Sequence, residues 1–277
     1  MTLRDTRARA RHLIGVQTVS VRVSDINRWY EGRAGDRRAA EFYGQSDFYN
    51  FGYWSEETRS QKEACENLME RLLGFIPEKK GSILDVACGK GATTRYLSRY
   101  YDPSDTTGID LSPMRLGTAR RNNPQVGFLL MSATQLAFED AVFDSVICVE
   151  AAFHFDTRMA FLKEALRVLK PGGRLVVSDI LAARWAERAG SLRTVENHVP
   201  GLSAYRDLYL EAGFREAQVV DATLESWTRF YRHLLRWHWD IVLLRDHHVG
   251  VFARFLLRLP VGILATKHYV LACATKA

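Results

Sequence analysis

The chain has 277 residues, 47% of them hydrophobic and 25% charged, with 19 Gly and only 7 Pro. That balance fits an ordinary globular chain of one large or two small domains and excludes a disordered or collagen-like polymer. Thirty-eight Lys and Arg against 32 Asp and Glu leave a formal charge of +6, which reads as a solvated basic face rather than a nucleic-acid footprint.

The first forty positions are rich in arginine (Arg4, Arg7, Arg9, Arg11 and onward) and contain no apolar run. No secretory signal is expected there, and Asp5 speaks against a transit peptide. Tyr43, Phe48, Tyr49, Phe51, Tyr53 and Trp54 then form an aromatic run too dense for an ordinary surface loop. Two readings stand: a lid whose rings shield a cation and exclude water, or a hydrophobic clasp that fastens the N-terminal segment to the core.

Ser82 to Ala87 is a short apolar run, expected as a strand, that ends in Cys88-Gly89-Lys90-Gly91. Thr93 to Tyr101 has helical spacing, with Tyr96, Leu97 and Tyr100 on one face. Thr107 to Leu111 reads as a second strand, and Ser112-Pro113 opens a helix, since Pro is tolerated in a first helical turn. Val126 to Met131 and Phe143 to Val149 are the third and fourth strands. Arg158 to Leu169 is an amphipathic helix, stopped by Lys170-Pro171-Gly172-Gly173, and Arg174 to Asp179 is a fifth strand. Strands with little alternation, each separated by a helix, predict a parallel sheet buried on both faces.

Leu202 to Ala212 follows as a helix closed by Gly213, and Ala217 to Asp221 as another strand. Leu224 to Leu259 is one long aromatic helical stretch, and Tyr269 to Ala274 the last strand. Three parts are therefore expected: an N-terminal helical lid over 1–75, a core over 76–222 and 267–277, and a helical cap insertion over 223–266 that lines the acceptor pocket. Open α/β sheets bind ligands at the carboxyl ends of their strands, so both outer segments are expected to fold over that end.

The four cysteines (Cys65, Cys88, Cys148, Cys273) are scattered, with no C-x-x-C pair. Neither a disulfide framework nor a zinc site is suggested, and a cytoplasmic setting fits. His233, His238, His247 and His248 lie close in sequence, but adjacent His247 and His248 would point to different sides of a helix, so no metal is expected. Val249 to Ala265 is apolar but broken by Arg254, Arg258 and Pro260. It is too short and too charged to span a bilayer, which takes about 20 apolar residues.

Gly89 and Gly91 allow positive φ and a close backbone approach to a ligand at a strand-to-helix turn. Asp110 ends the next strand, where a carboxylate can accept two hydrogen bonds from a ribose diol. The third glycine of a dinucleotide fingerprint is replaced by Thr94, and Asp85 precedes the turn. Acidic groups there suit a nucleoside with a cationic, amino-acid-like tail better than a pyrophosphate.

Four segments in order, ILDVACGKG, GIDLSP, MSATQLAFED with FDSVIC, and LKPGGRLVVSD, resemble the successive motifs of class I S-adenosylmethionine-dependent methyltransferases. EAAFHFDTR and SDFYNFGYW resemble more narrowly a small-molecule branch related to tocopherol, sterol and quinone methyltransferases. The resemblance implies a doubly wound, Rossmann-like, mostly parallel seven-stranded sheet of α/β class, with helical caps at the N-terminus and between the last two strands. It implies S-adenosylmethionine as cofactor and S-adenosylhomocysteine as product. Asp85, Ala87, Gly89 and Gly91 would surround the methionine part, Asp110 the ribose, Leu111 and Met114 the adenine, and Ser132 and Ala133 its amino edge, with Tyr49 completing the cofactor site. Ala87 stands where the family often has Gly, a modest change provided φ is negative; Ser132 stands where an Asp often meets the adenine.

Methyl transfer needs in-line placement of donor and acceptor, and a hydroxyl acceptor gains from a base. His154, just past the fourth strand, can be that base or a substrate hydrogen-bond partner, and Glu150 can steady a developing cation or serve the strand end. These two are the expected catalytic residues; Tyr53, Trp54, His154 and Trp237 are expected to meet the acceptor. The expected activity is methylation of a hydrophobic small molecule of specialised metabolism, with oxygen slightly favoured over carbon or nitrogen. A non-methylating relative that binds the cofactor for another task, such as cyclisation, is the other reading. A nucleic-acid partner is disfavoured because Glu150-Ala-Ala-Phe stands where an Asn/Asp-Pro-Pro-aromatic motif would be. No integral membrane contact is expected, and a homo-oligomer is allowed.

Overall fold

The computed structural model describes residues 37–188 and 197–277, so the arginine-rich first part of the expected lid lies outside the described residues. Among the described residues two helices, α1 (Arg37–Phe42) and α2 (Gln61–Leu73), precede the sheet. The sheet strands are β1 (Ile83–Val86), β2 (Thr106–Asp110), β3 (Gly127–Leu130), β4 (Phe143–Val149), β5 (Leu169–Ala182), β6 (Glu216–Asp221) and β7 (Thr266–Thr275). Between them run α3 (Ala92–Leu97), α4 (Pro113–Asn122), α5 (Arg158–Val168), α6 (Arg184–Arg188), α7 (Leu202–Ala212), α8 (Arg229–Trp237) and α9 (Val249–Ala265).

The strand order is β3-β2-β1-β4-β5-β7-β6. β1 to β5 pair in parallel, and β7 inserts antiparallel between β5 and β6. Along β7 the side chains alternate between two cores: Val270, Ala272 and Ala274 face one layer, Tyr269, Leu271 and Cys273 the other. The first layer is closed by α5 and α7 through Phe161, Leu162, Tyr205 and Tyr209. The second is closed by α2 and α3 through Leu68, Leu72, Tyr96 and Leu97. Burial on both faces is why these strands read as continuous apolar runs.

The helix starts follow local chemistry. Ser60, Ser112 and Thr157 each cap a helix by accepting a hydrogen bond from the backbone N–H three residues on, and Pro113 sits in the first turn of α4. Gly213 closes α7 in the left-handed region, with φ 106°.

Two expectations change. Lys170 to Gly173 does not separate helix from strand; β5 already starts at Leu169, and the pairing with β4 jumps from Phe143–Leu169 to Ser145–Arg174. The extra residues bulge out, with Lys170 Nζ 2.6 Å from Asp144 Oδ2. The long helix expected over 224–259 is broken. A π-type turn (Thr223–Thr228), α8 and a second π-type turn (His238–Arg245) run on, and the chain then reverses before α9. His247, at φ 54°, lies in that reversal with His248, so neither sits within a helix. His233 packs between Phe42 and Trp54, and burial pushes its pKa down to about 4. Among the described residues no group of three or more His, Cys, Asp or Glu side chains could hold a metal ion. No described helix is long and apolar enough to cross a membrane.

Candidate active site

The parallel strands present their carboxyl ends to one side of the sheet, and a cavity of about 180 Å³ opens there. Its wall begins at the turn after β1. Gly89 has φ 55°, and a Cβ added to it would meet no atom within 4 Å, so bare backbone faces the cavity. Gly91 has φ 79°, and its missing Cβ leaves room for Asn123 and Ala119 of the α4 end. The two glycines thus do different work: one exposes backbone to the cavity, the other lets the turn pack. Ala87, also on the wall, has φ 59°. The replacement of Gly at this position therefore carries a left-handed strain that an Ala avoids elsewhere.

Asp110 accepts the Gly89 N–H at 2.9 Å and the Ser112 N–H at 2.8 Å, and Arg115 approaches within 3.2 Å. The end of β2 is thereby tied to the glycine turn, with the carboxylate on the cavity wall. Leu111, Ser132 and Ala133 continue that wall. Asp85 is not on it. Its Oδ2 accepts from the Thr93 and Thr94 hydroxyls at 2.7 and 2.6 Å, bracing the start of α3, and burial raises its pKa to about 6. Met114 is half exposed on α4 and likewise lies off the wall, as does Gly91.

The far side is formed by the end of β4 and the segment before α2. Glu150 has φ 51°, the kind of backbone strain that persists only where surroundings enforce it. Its Oε1 accepts from Tyr269 Oη at 2.6 Å and from the Phe51 N–H at 2.8 Å. Burial pushes its pKa to about 8, against the lowering effect of those two bonds. A short 3₁₀ turn, Ala152–His154, follows and brings His154 to the wall beside Glu150, with its ring tilted on Phe153.

The aromatic run divides into two groups of residues, one on the cavity and one packed away from it. Phe48 and Tyr49 line the cavity. Trp54 is buried against His233, with its indole N–H on Phe51 O, and Trp237 packs edge-on against Phe42. These two and Tyr53 hold the N-terminal segment to α2 and the cap, and none lines the cavity. Tyr53, Trp54 and Trp237, expected to meet the acceptor, thus lie in a clasp off this cavity.

Sequence reasoning missed Asp47, Asn50 and Lys90. Lys90 Nζ lies 3.6 Å from Asp47 and over the Tyr49 ring, and Asn122 also bonds Asp47, so the segment is latched across the glycine turn. Asn50 is on the wall, and its buried Oδ1 has no hydrogen-bond partner among the described residues. Asp47 and Asn50 lie inside SDFYNFGYW and Lys90 inside the glycine turn, so the motifs marked the place but not these side chains. Behind the site, Arg158 donates to Asp179 Oδ2 at 2.6 Å and to the carbonyls of Ile180 and Asn197, with Tyr205 completing the Asp179 shell.

A methyltransferase domain family matches residues 84–177. The chain is 32% identical over 232 residues to an erythromycin 3''-O-methyltransferase of Saccharopolyspora erythraea, covering 75% of this chain and 74% of that protein. The chain belongs to the class I S-adenosylmethionine-dependent methyltransferases. A 27-O-demethylrifamycin SV methyltransferase of Amycolatopsis mediterranei is 31% identical over 195 residues, 64% of this methyltransferase and 71% of that one. Among solved structures, the cyclase SpnF superposes with a TM-score of 0.70 at 20% identity, covering 92% and 96% of the two chains. A geranyl diphosphate C-methyltransferase of Streptomyces coelicolor A3(2) superposes at 0.66 and 16% identity, covering 94% and 100%.

The wall of the methyltransferase fits its S-adenosylmethionine cofactor. Gly89 offers unobstructed backbone, Asp110 a carboxylate, and Asn50 Oδ1 an unsatisfied buried acceptor that suits an ammonium donor.

Proposed function

We propose that this methyltransferase acts on a hydroxyl of a hydrophobic small molecule of specialised metabolism, with His154 as general base. The observation that carries the reading is that His154 and Glu150 line the same cavity as the Gly89 turn and Asp110. The names of both curated relatives, which act on erythromycin and on demethylrifamycin SV, support a natural-product hydroxyl as acceptor. We further propose that Asp110, Gly89, Leu111, Ser132, Ala133 and Asn50 hold the cofactor, which when bound supplies an electrophilic methyl group.

The chain's own residues then have three tasks. Phe48 and Tyr49, drawn down by the Asp47–Lys90 latch, exclude water from the cavity. Glu150, held by Tyr269 and the Phe51 N–H, fixes the strap that carries those rings and turns its carboxyl edge to the acceptor. His154 takes the acceptor's hydroxyl proton as the oxygen attacks, and returns it to solvent. Around the core we read residues 1–75 as the lid segment and 223–266 as a cap insertion; no residue of that insertion is on this cavity's wall.

The test is turnover of a panel of apolar hydroxylated natural products with carbon-labelled methyl donor. The position of the labelled methyl resonance tells an ether from a ring or chain carbon. His154→Gln is expected to lower kcat on the order of 10²–10⁴-fold and to flatten the acid limb of its pH profile. Wild-type rates across the neutral range would remove His154 as base. A methyl resonance on carbon would favour the second reading, C-methylation, in which the buried Glu150 carboxyl faces the developing positive charge.

A further inference from the structure

Helix α9 is apolar on both sides. Its inner side is pinned to the cap: Phe255 stacks on His238 with ring centroids 3.8 Å apart, Phe252 meets Trp239, Tyr231 closes on Gly262, and Trp227 Nε1 donates to Ile263 O. The outer side has no such cover among the described residues. Leu257 is 78% exposed, Leu264 and Val249 65%, and Val261 53%. At 100° per residue, these four fall in one sector with Leu256 and Ile263, and Arg254 and Arg258 line one border of it. Exposed Trp239 and Leu244 of the preceding turn extend the patch.

A contiguous apolar face of this kind marks an interaction surface. Its charge identifies the partner. Residues 223–268 hold seven Lys and Arg against three Asp and Glu, four of the chain's six net positive charges in a sixth of its length. Asp246, one of the three acids, is already paired with Arg245. An apolar sector bordered by arginines is the arrangement by which a helix lies in the headgroup layer of an anionic bilayer, with the guanidinium groups reaching the phosphates. At 17 residues with two arginines, α9 is too short and too charged to cross. A second copy of the chain on this face would bring two basic regions together, and a basic partner protein is excluded on the same ground.

We propose that the outer face of α9 seats this protein on an anionic membrane surface. The proposal is independent of which atom the enzyme methylates. The full chain is mixed with vesicles of pure phosphatidylcholine or of equimolar phosphatidylcholine and phosphatidylglycerol, and both sedimentation and tryptophan emission are read. Wild type is expected in the pellet with the anionic vesicles, with a blue shift from Trp239, and in the supernatant with the neutral ones. Arg254→Glu with Arg258→Glu should lower the partition by at least about 30-fold, from two lost arginine–headgroup contacts. Leu257→Glu with Leu264→Glu should lower it on the order of a hundredfold. If the leucine pair fails to fold by circular dichroism, the arginine pair, whose side chains border the face, decides. Wild type in the supernatant with both vesicles overturns the proposal, and so does unchanged binding by a folded variant. A dimer by light scattering that Leu257→Glu disperses, without vesicle binding, assigns the face to a second copy instead.

Discussion

Replacing Glu150 by Gln isolates one buried titration. The carboxyl is buried at the end of β4, and burial raises its pKa from an ordinary 4.5 to about 8. Gln keeps the shape, and its amide oxygen still accepts from Tyr269 Oη and the Phe51 N–H, so the strap remains anchored. The sign follows from proton binding: above pH 4.5 the unfolded chain releases this proton while the folded chain keeps it. Stability from this group is therefore greatest at low pH and is lost as pH rises through about 8. Asp85, raised to about 6, acts in the same direction but is finished lower down. Between about pH 6.5 and 9, Glu150 alone of the two should cost the wild type about 2 kcal/mol. Urea unfolding of both proteins at those two pH values gives the comparison, since all other titrations cancel in the difference. The Glu150→Gln protein should lose about 2 kcal/mol less than wild type over this interval. Equal losses in the two proteins would mean that Glu150 is ionised in the folded enzyme and that its burial has been misjudged.

Asp110→Ala should weaken cofactor binding about 10- to 100-fold by titration calorimetry, the cost of losing hydrogen bonds to a charged group, and an affinity within about twofold of wild type would remove it from the site. Ala87→Gly should stabilise the fold by about 1 kcal/mol in thermal unfolding, by relieving φ 59°; a loss of stability would show that the turn is not strained. Arg158→Met should destabilise by about 3–5 kcal/mol, because Asp179 is left buried and charged with only Tyr205 and a backbone N–H as donors. An unchanged denaturation midpoint would show the pair to be dispensable.

The β1 turn, the Asp110 position and the succession of strands were legible because each depends on a short window of chain: apolar runs, a glycine pair, a carboxylate at a strand end. His154 and Glu150 were legible for the same reason, since both follow β4 within five residues. Asp85 was read as part of the cofactor wall and in fact turns to Thr93 and Thr94, because the hydroxyls that claim it lie on the next helix. The roles of Trp54 and Trp237 depended on His233 and Phe42, each at the opposite end of the chain from its partner. No local pattern encodes such a pairing.

By itself, the amino-acid sequence determined the α/β alternation, the buried central strands and the glycine turn after β1, since these arise from local periodicity and backbone freedom, and the family was legible through the resemblance of its motifs. Tertiary structure alone decided that β7 enters antiparallel between β5 and β6, that φ at Ala87 is positive, and that Glu150 is buried against Tyr269 Oη and the Phe51 N–H. Those outcomes depend on which distant surfaces exclude water from one another, and that is set only when the chain has closed.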